Sequence, residues 1–148
     1  MRRALLVAAL AASLSGAASA QLRFPIIQRQ QPPPQLVGID ALRADFIARV
    51  GSDTVYFAGD SAVLTGPART TLAAQAQWLR QHPEVVVQVE GHGSTADTRD
   101  HALAVGARRA SEVRDYLILM GVPALQLSAT SWGKERPGAG RAVTVLVR

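Results

Sequence analysis

Between Glu90 and Arg109 the chain gathers several residues whose types could do chemistry. His92, Ser94 and Asp97 stand close enough along the chain to suggest a base, a nucleophile and an orienting acid. Such triads are assembled by geometry across a fold, not by nearness along a loop, and no nucleophile elbow surrounds Ser94. A metal reading fares no better by motif. The histidine nearest His92 is His101, across a loop, and no HExxH or comparable ligand spacing exists. His92 therefore reads as a strand-end histidine that hydrogen-bonds the loop. Gly91-His92-Gly93 lacks the spacing and the lysine of a phosphate loop. Arg109 differs in kind, because a guanidinium can grip a carboxylate with two parallel hydrogen bonds. It falls on the flank of a helix, beside the buried stripe, and backbone N–H groups at that helix's start could add to an anion site. The alternative is an Arg109–Glu112 pair, three residues apart on a solvated face.

Composition narrows the classes further. The 148 residues are 48% hydrophobic and 18% charged, a balance that buries a core and argues against disorder. Lysine and arginine total 16, and Lys134 is the only lysine. Arginine therefore carries the positive charge, favouring planar grips on carboxylates or phosphates. Cysteine is absent, which excludes disulfides, thiolate metal sites and cysteine nucleophiles. Aromatic residues are 5%, poor material for stacking nucleic-acid bases. No metal, nucleotide or redox cofactor is implied.

The N-terminal segment reads as an address. Met1-Arg2-Arg3 precedes an apolar run from Ala4 to Leu14, and Ala18-Ser19-Ala20 has the small-x-small form of a cleavage site, so residues 1–20 are expected to be a secretory signal peptide. Its removal takes the formal charge from +5 to 5 − 2 = +3, too weak to argue for DNA. No cysteine follows the site to carry a lipid. Residues 21–36 are rich in glutamine and proline and read as an extended tether. Residues 37–50 carry Ile39, Leu42, Phe46 and Ile47 at helical spacing, expected to pack on the domain or to dock a partner.

Residues 51–148 are expected to form one α+β unit. Thr54 to Phe57 is β-branched and aromatic, a first strand. Gly66-Pro67 opens a helix with Leu72, Ala76 and Leu79 on one face, closed by His82-Pro83. Val85 to Glu90 alternates as a second strand ended by Gly91-His92-Gly93. Thr98 caps a second helix, whose buried stripe is Leu103, Gly106, Ala110, Val113 and Leu117. Leu127 to Trp132 and Ala142 to Val147 complete the order β-α-β-α-β-β. This order predicts a two-layer sandwich, with two helices on one face of a mixed four-stranded sheet.

Val89-Glu90-Gly91-His92, the helix bearing Arg108-Arg109-Ala110, and Trp132-Gly133-Lys134-Glu135-Arg136-Pro137 occur together and in order. With Val55-Tyr56-Phe57 and Asp60, they resemble the OmpA-like C-terminal domain family over roughly residues 53–148. That family includes the peptidoglycan-associated lipoprotein and the periplasmic part of flagellar stator proteins. The resemblance implies noncatalytic binding of peptidoglycan through diaminopimelate of the stem peptide. It implies that Arg109 holds a ligand carboxylate. It also matches Ser94 to the position where relatives carry an aspartate for the ligand ammonium. The usual asparagine and serine at the start of the helix are here Ala102 and Ala104, and a late Asn-Arg-Arg signature is reduced to Ala139-Gly140-Arg141. A hydroxyl accepts a hydrogen bond from an ammonium without offsetting its charge. Hydrogen bonds to charged groups contribute about 1.5–3 kcal/mol, so binding is expected to weaken roughly tenfold to a hundredfold. Asp97, in the same loop, is a candidate replacement anion; otherwise it faces water or caps the helix. Phe57 either walls the pocket or belongs to the core. Arg141 either approaches the pocket from the last strand or stays solvated.

The expectation is thus a periplasmic, non-enzymatic module that binds peptidoglycan and sits near the outer membrane or another envelope protein, with no spanning segment in the mature chain. The rival is an envelope protein-interaction module of the same fold that has lost wall binding.

Overall fold

The structure, a computed structural model, describes residues 38–148. The signal peptide and tether expected over residues 1–36 lie outside the described residues. Val87 and Val89 alternate with the longer polar Gln88 and Glu90, and Val85, Val87 and Val89 are all buried. The strand β2 (Val87–His92) lies at the middle of a four-stranded sheet with β1 (Thr54–Tyr56), β3 (Leu127–Gly133) and β4 (Arg141–Leu146), in the order β1-β4-β2-β3. β4 runs antiparallel to both β1 and β2, placing Val87 opposite Leu146 and Val55 opposite Ala142. β2 and β3 are parallel, starting with Val87 beside Leu127. A parallel pair needs a long crossover, and α3 (Arg99–Leu119) supplies it.

The period-2 pattern of the strands and the period-3.6 pattern of the helices meet in one core. Leu72, Ala76 and Leu79 of α2 (Gly66–Gln81) and Ala110, Val113 and Leu117 of α3 pack with Val55, Val87, Val89 and Leu146. Thr65 and Thr98 cap the two helices, their hydroxyls accepting from the N–H of Ala68 and His101. α1 (Ile39–Val50) packs on this unit. The Phe46 ring meets Trp78 edge-on at 5.1 Å, and Arg43 Nη2 donates to the Leu146 carbonyl at 2.8 Å.

Two local expectations need correction. β2 starts at Val87 rather than Val85, and it does not stop at Glu90 but continues through Gly91 and His92, with a register shift between them. The continuation is possible because both glycines at the crossing lack a side chain. A Cβ on Gly91 would collide with the Gly106 carbonyl of α3. Leu103 is not on the buried stripe; it is 42% exposed, and Ala102 is buried instead. The first turns of α3 press so closely on the sheet that a Cβ on Gly93 would strike the Ala102 carbonyl. An alanine fits at the centre there, and the leucine is pushed to the flank.

Candidate functional site

The loop after β1 and the end of β2 meet over the middle of α3, and one side chain holds them together. Arg109 is 0% exposed. Its Nε donates to the Ser61 carbonyl at 2.9 Å, and Nη1 donates to the His92 carbonyl at 2.7 Å. Nη2 donates to the Gly59 carbonyl. The guanidinium carbon lies 5.2 Å from the centre of the Phe57 ring, a cation–π distance. Burial lowers the pKa of this guanidinium; Asp60 and Asp97 oppose the shift and Arg108 adds to it. An arginine remains charged through such a shift. Arg109 makes no ion pair with Glu112 among the described residues, so the solvated-face alternative is replaced by a buried clamp on main-chain oxygens. Three of its five N–H groups are engaged, and two remain.

A cleft of about 260 Å³ opens beside this clamp, lined by Phe57, Gly59, Asp60, Ser94, Arg109, Ala139 and Gly140. Three sequence candidates, Phe57, Ser94 and Arg109, are thus brought to one hollow. Phe57 is also a core residue, so it lines the cleft from the hydrophobic side. The Ser94 hydroxyl accepts from the Ala96 N–H at 3.2 Å, which sets the turn of its loop.

Asp97 and Arg141 are not among the lining residues. Asp97 Oδ2 lies 3.9 Å from His101 Nε2, and the Asp97 carbonyl accepts from Lys134 Nζ at 2.6 Å. Arg141 Nη2 donates to the Pro137 carbonyl at 2.8 Å. Its guanidinium fills the space where a Cβ on Gly138 would stand, so it braces the turn between β3 and β4.

The cleft's carboxylate is one to which the residue pattern alone assigned no role. Asp60 lines the cleft and is half exposed, and its Oδ2 lies 2.9 Å from His101 Nε2. The available signal was its position just after the first strand, in a loop whose carbonyls Arg109 collects. His92 departs from its sequence reading as well. Both ring nitrogens are buried and make no hydrogen bond; the main-chain carbonyl, not the ring, joins the network. Burial lowers its pKa, Arg141 and Arg136 add to the shift, and Glu90 opposes it.

Across the sheet's other face, Arg136 stacks 3.5 Å above the Trp132 ring and pairs with Glu90 at 3.1 Å. Together with Arg99–Glu135 at 2.7 Å, this ties the β3–β4 loop to its neighbours. No described helix is long and apolar enough to cross a membrane.

Comparison with known proteins places this geometry. Residues 56–145 match the model of the OmpA family. A peptidoglycan-associated lipoprotein of Mesorhizobium japonicum is 46% identical over 95 residues, covering 64% of this chain and 56% of that protein. Its counterpart in Pseudomonas aeruginosa is 40% identical over 101 residues, covering 68% and 60%. The chain thus spans less than two thirds of the length of these curated relatives. Among solved structures, the peptidoglycan-associated lipoprotein of Burkholderia pseudomallei superposes with a TM-score of 0.63 at 32% identity, covering 66% of this chain and 92% of that one. The C-terminal domain of Helicobacter pylori MotB superposes at 0.60 and 22% identity, covering 65% and 84%, a likeness of fold.

Proposed function

This chain belongs to the OmpA family, and from that premise we propose that it is a noncatalytic, periplasmic module that associates with peptidoglycan by holding diaminopimelate of the stem peptide. The observation that carries the proposal is a cleft, beside the arginine clamp, lined by both a carboxylate, Asp60, and a guanidinium, Arg109. Diaminopimelate presents an ammonium and a carboxylate on one carbon, and its receptor needs an anion and a cation at fixed separation. Arg109 lines the cleft with two N–H groups unengaged, its guanidinium held in place by three carbonyls. Asp60 offers charge to the ammonium, and the Ser94 hydroxyl offers a neutral acceptor. Phe57 and Gly140 wall the aliphatic carbons. The names of the relatives support the wall as the target, and the leader sequence supports export to the periplasm. Such a module would hold the wall near the outer membrane or another envelope protein.

A second reading has its own observation. Arg109 is fully buried and already serves three carbonyls, and position 94 carries no charge. A domain that keeps this arginine as a structural clamp and docks proteins instead fits those facts. Cosedimentation of the full chain with purified sacculi separates the two. Peptidoglycan binding predicts retention in the pellet, release by free meso-diaminopimelate, and a loss of about tenfold or more in Asp60→Asn, since one charge-assisted contact contributes about 1.5–3 kcal/mol. Retention no better than for a protein without the domain, or retention indifferent to diaminopimelate, would favour the interaction module.

A further inference from the structure

At the rim of the same cleft, two carboxylates and an imidazole from distant parts of the chain point at one another. Asp60 Oδ2 lies 2.9 Å from His101 Nε2, and Asp97 Oδ2 lies 3.9 Å from it. All three atoms lie within 4.8 Å of one another. We propose that Asp60, Asp97 and His101 form a binding site for a divalent transition-metal ion of the zinc type, bridging the loop after β1 to the first turn of α3.

The geometry suits such an ion. Zinc bonds to imidazole nitrogen and carboxylate oxygen are about 2.0–2.2 Å long, and a tetrahedral arrangement separates two donor atoms by roughly 3.3 Å. The two imidazole–carboxylate separations, 2.9 and 3.9 Å, fall on either side of that value. Asp60 and His101 have half-exposed side chains, free to make the small rotations that equalise the distances. Asp97 lies just before Thr98, the N-cap of α3, and His101 lies in the first turn, so the loop and the helix start bring the two side chains together. A second observation comes from Asp97 itself. Its side chain is 27% exposed, but Oδ2 itself is turned away from solvent and accepts no hydrogen bond. A buried carboxylate oxygen with no partner is costly, and a metal ion in the cluster would give it one.

Charge and ligand type select the ion. Two carboxylates balance a divalent cation, whereas a nitrogen donor favours zinc, cobalt or nickel over magnesium or calcium. Two cations act against the site. Lys134 is held on the Asp97 carbonyl, and Arg109 feels both acids. Both are already committed to main-chain oxygens. Three protein donors leave a fourth position open to water or to an incoming ligand atom. Since Asp60 also lines the cleft, a bound ion would fix that wall and draw Asp60 away from an ammonium. The site itself does not depend on peptidoglycan recognition.

The test is made on the full 148-residue chain, prepared without a histidine tag and in the absence of wall material. Calorimetric titration with zinc chloride is expected to give one ion per chain, and cobalt is expected to give the intense visible bands of a low-coordinate site. Asp60→Asn, Asp97→Asn and His101→Ala should each weaken zinc binding about tenfold or more, a minimum for losing a ligand when even supporting contacts cost 10–100-fold. Asp100→Asn, on the same turn but outside the cluster, should bind as the parent does. Thermal unfolding without metal confirms that each variant is folded. Absence of a stoichiometric zinc isotherm overturns the proposal. So does an Asp97→Asn variant that binds zinc as well as the parent, which would leave only casual contact with His101.

Discussion

Replacing Arg109 probes whether one side chain bolts the loop after β1 and the end of β2 to α3. In Arg109→Ala three hydrogen bonds from a charged donor disappear, each contributing about 1.5–3 kcal/mol when fully formed. They do not count equally. Gly59 is exposed and Ser61 partly so, and water takes over much of what their carbonyls lose. His92 is 2% exposed, so its carbonyl is stranded at about 1–3 kcal/mol. Loss of the cation–π contact with Phe57 adds about 0.5–1 kcal/mol, and the missing stem leaves a void. Relief of the buried charge's own desolvation acts in the opposite direction. The balance is a destabilisation of about 2–4 kcal/mol. Arg109→Lys keeps a charge, but a point-like ammonium cannot span three acceptors, so a loss of about 1–3 kcal/mol is expected. Urea unfolding followed by the fluorescence of Trp78 and Trp132 measures both. A domain of this size has about 5–15 kcal/mol to lose, which keeps the variants folded in dilute buffer. A change below about 0.5 kcal/mol in Arg109→Ala would refute the clamp, and with it the claim that the cleft's floor is held rigid.

Three other perturbations separate the contributions. Ser94→Asp restores a carboxylate in the cleft, and an Asp side chain can still accept from the Ala96 N–H; sacculus binding is expected to strengthen roughly tenfold to a hundredfold, and unchanged pelleting counts against the cleft as the binding site. Gly91→Ala forces a methyl into the Gly106 carbonyl, where backbone must move on both sides, and should cost about 3 kcal/mol or more; a melting temperature equal to the parent's would contradict the close approach of α3 to β2. For His92 the sign follows from linkage. Burial holds its folded pKa below the ordinary value of 6.5, so the unfolded chain binds more protons below that pH. Stability is then level above about pH 6.5 and falls as the pH drops toward the folded value. Urea midpoints between pH 8 and 5 should show this fall, and His92→Gln should flatten it; an equal slope in the variant would assign the effect to other groups.

Much of the scaffold is legible in the residues themselves. The alternation of Val85, Val87 and Val89, the Gly66-Pro67 start and the Thr98 cap are local signals, because a strand's period and a helix's first turn are settled within a few residues. The stripe Gly106, Ala110, Val113 and Leu117 is equally local, and all four are buried. Leu103 escaped that reading because helical spacing does not register how closely a neighbouring sheet approaches. β2 outran its expected end for the same reason: Gly91 looks like punctuation until Gly106 stands against it.

The site belongs to the other category. Arg109 reaches carbonyls 48 and 50 residues earlier in the chain, and Asp60 meets His101 across 41. Pairings at such distances are selected by the fold, through a sheet and crossover helix that bring two loops to one place. The residue types alone made Arg109 a grip for an anion and left Asp60 without a role. Tertiary structure turned the guanidinium inward onto main-chain oxygens, gave the cleft its carboxylate, and set Asp97 beside an imidazole. The physical reason is that burial and partner geometry decide what a charged group can do, and neither exists until the chain has folded.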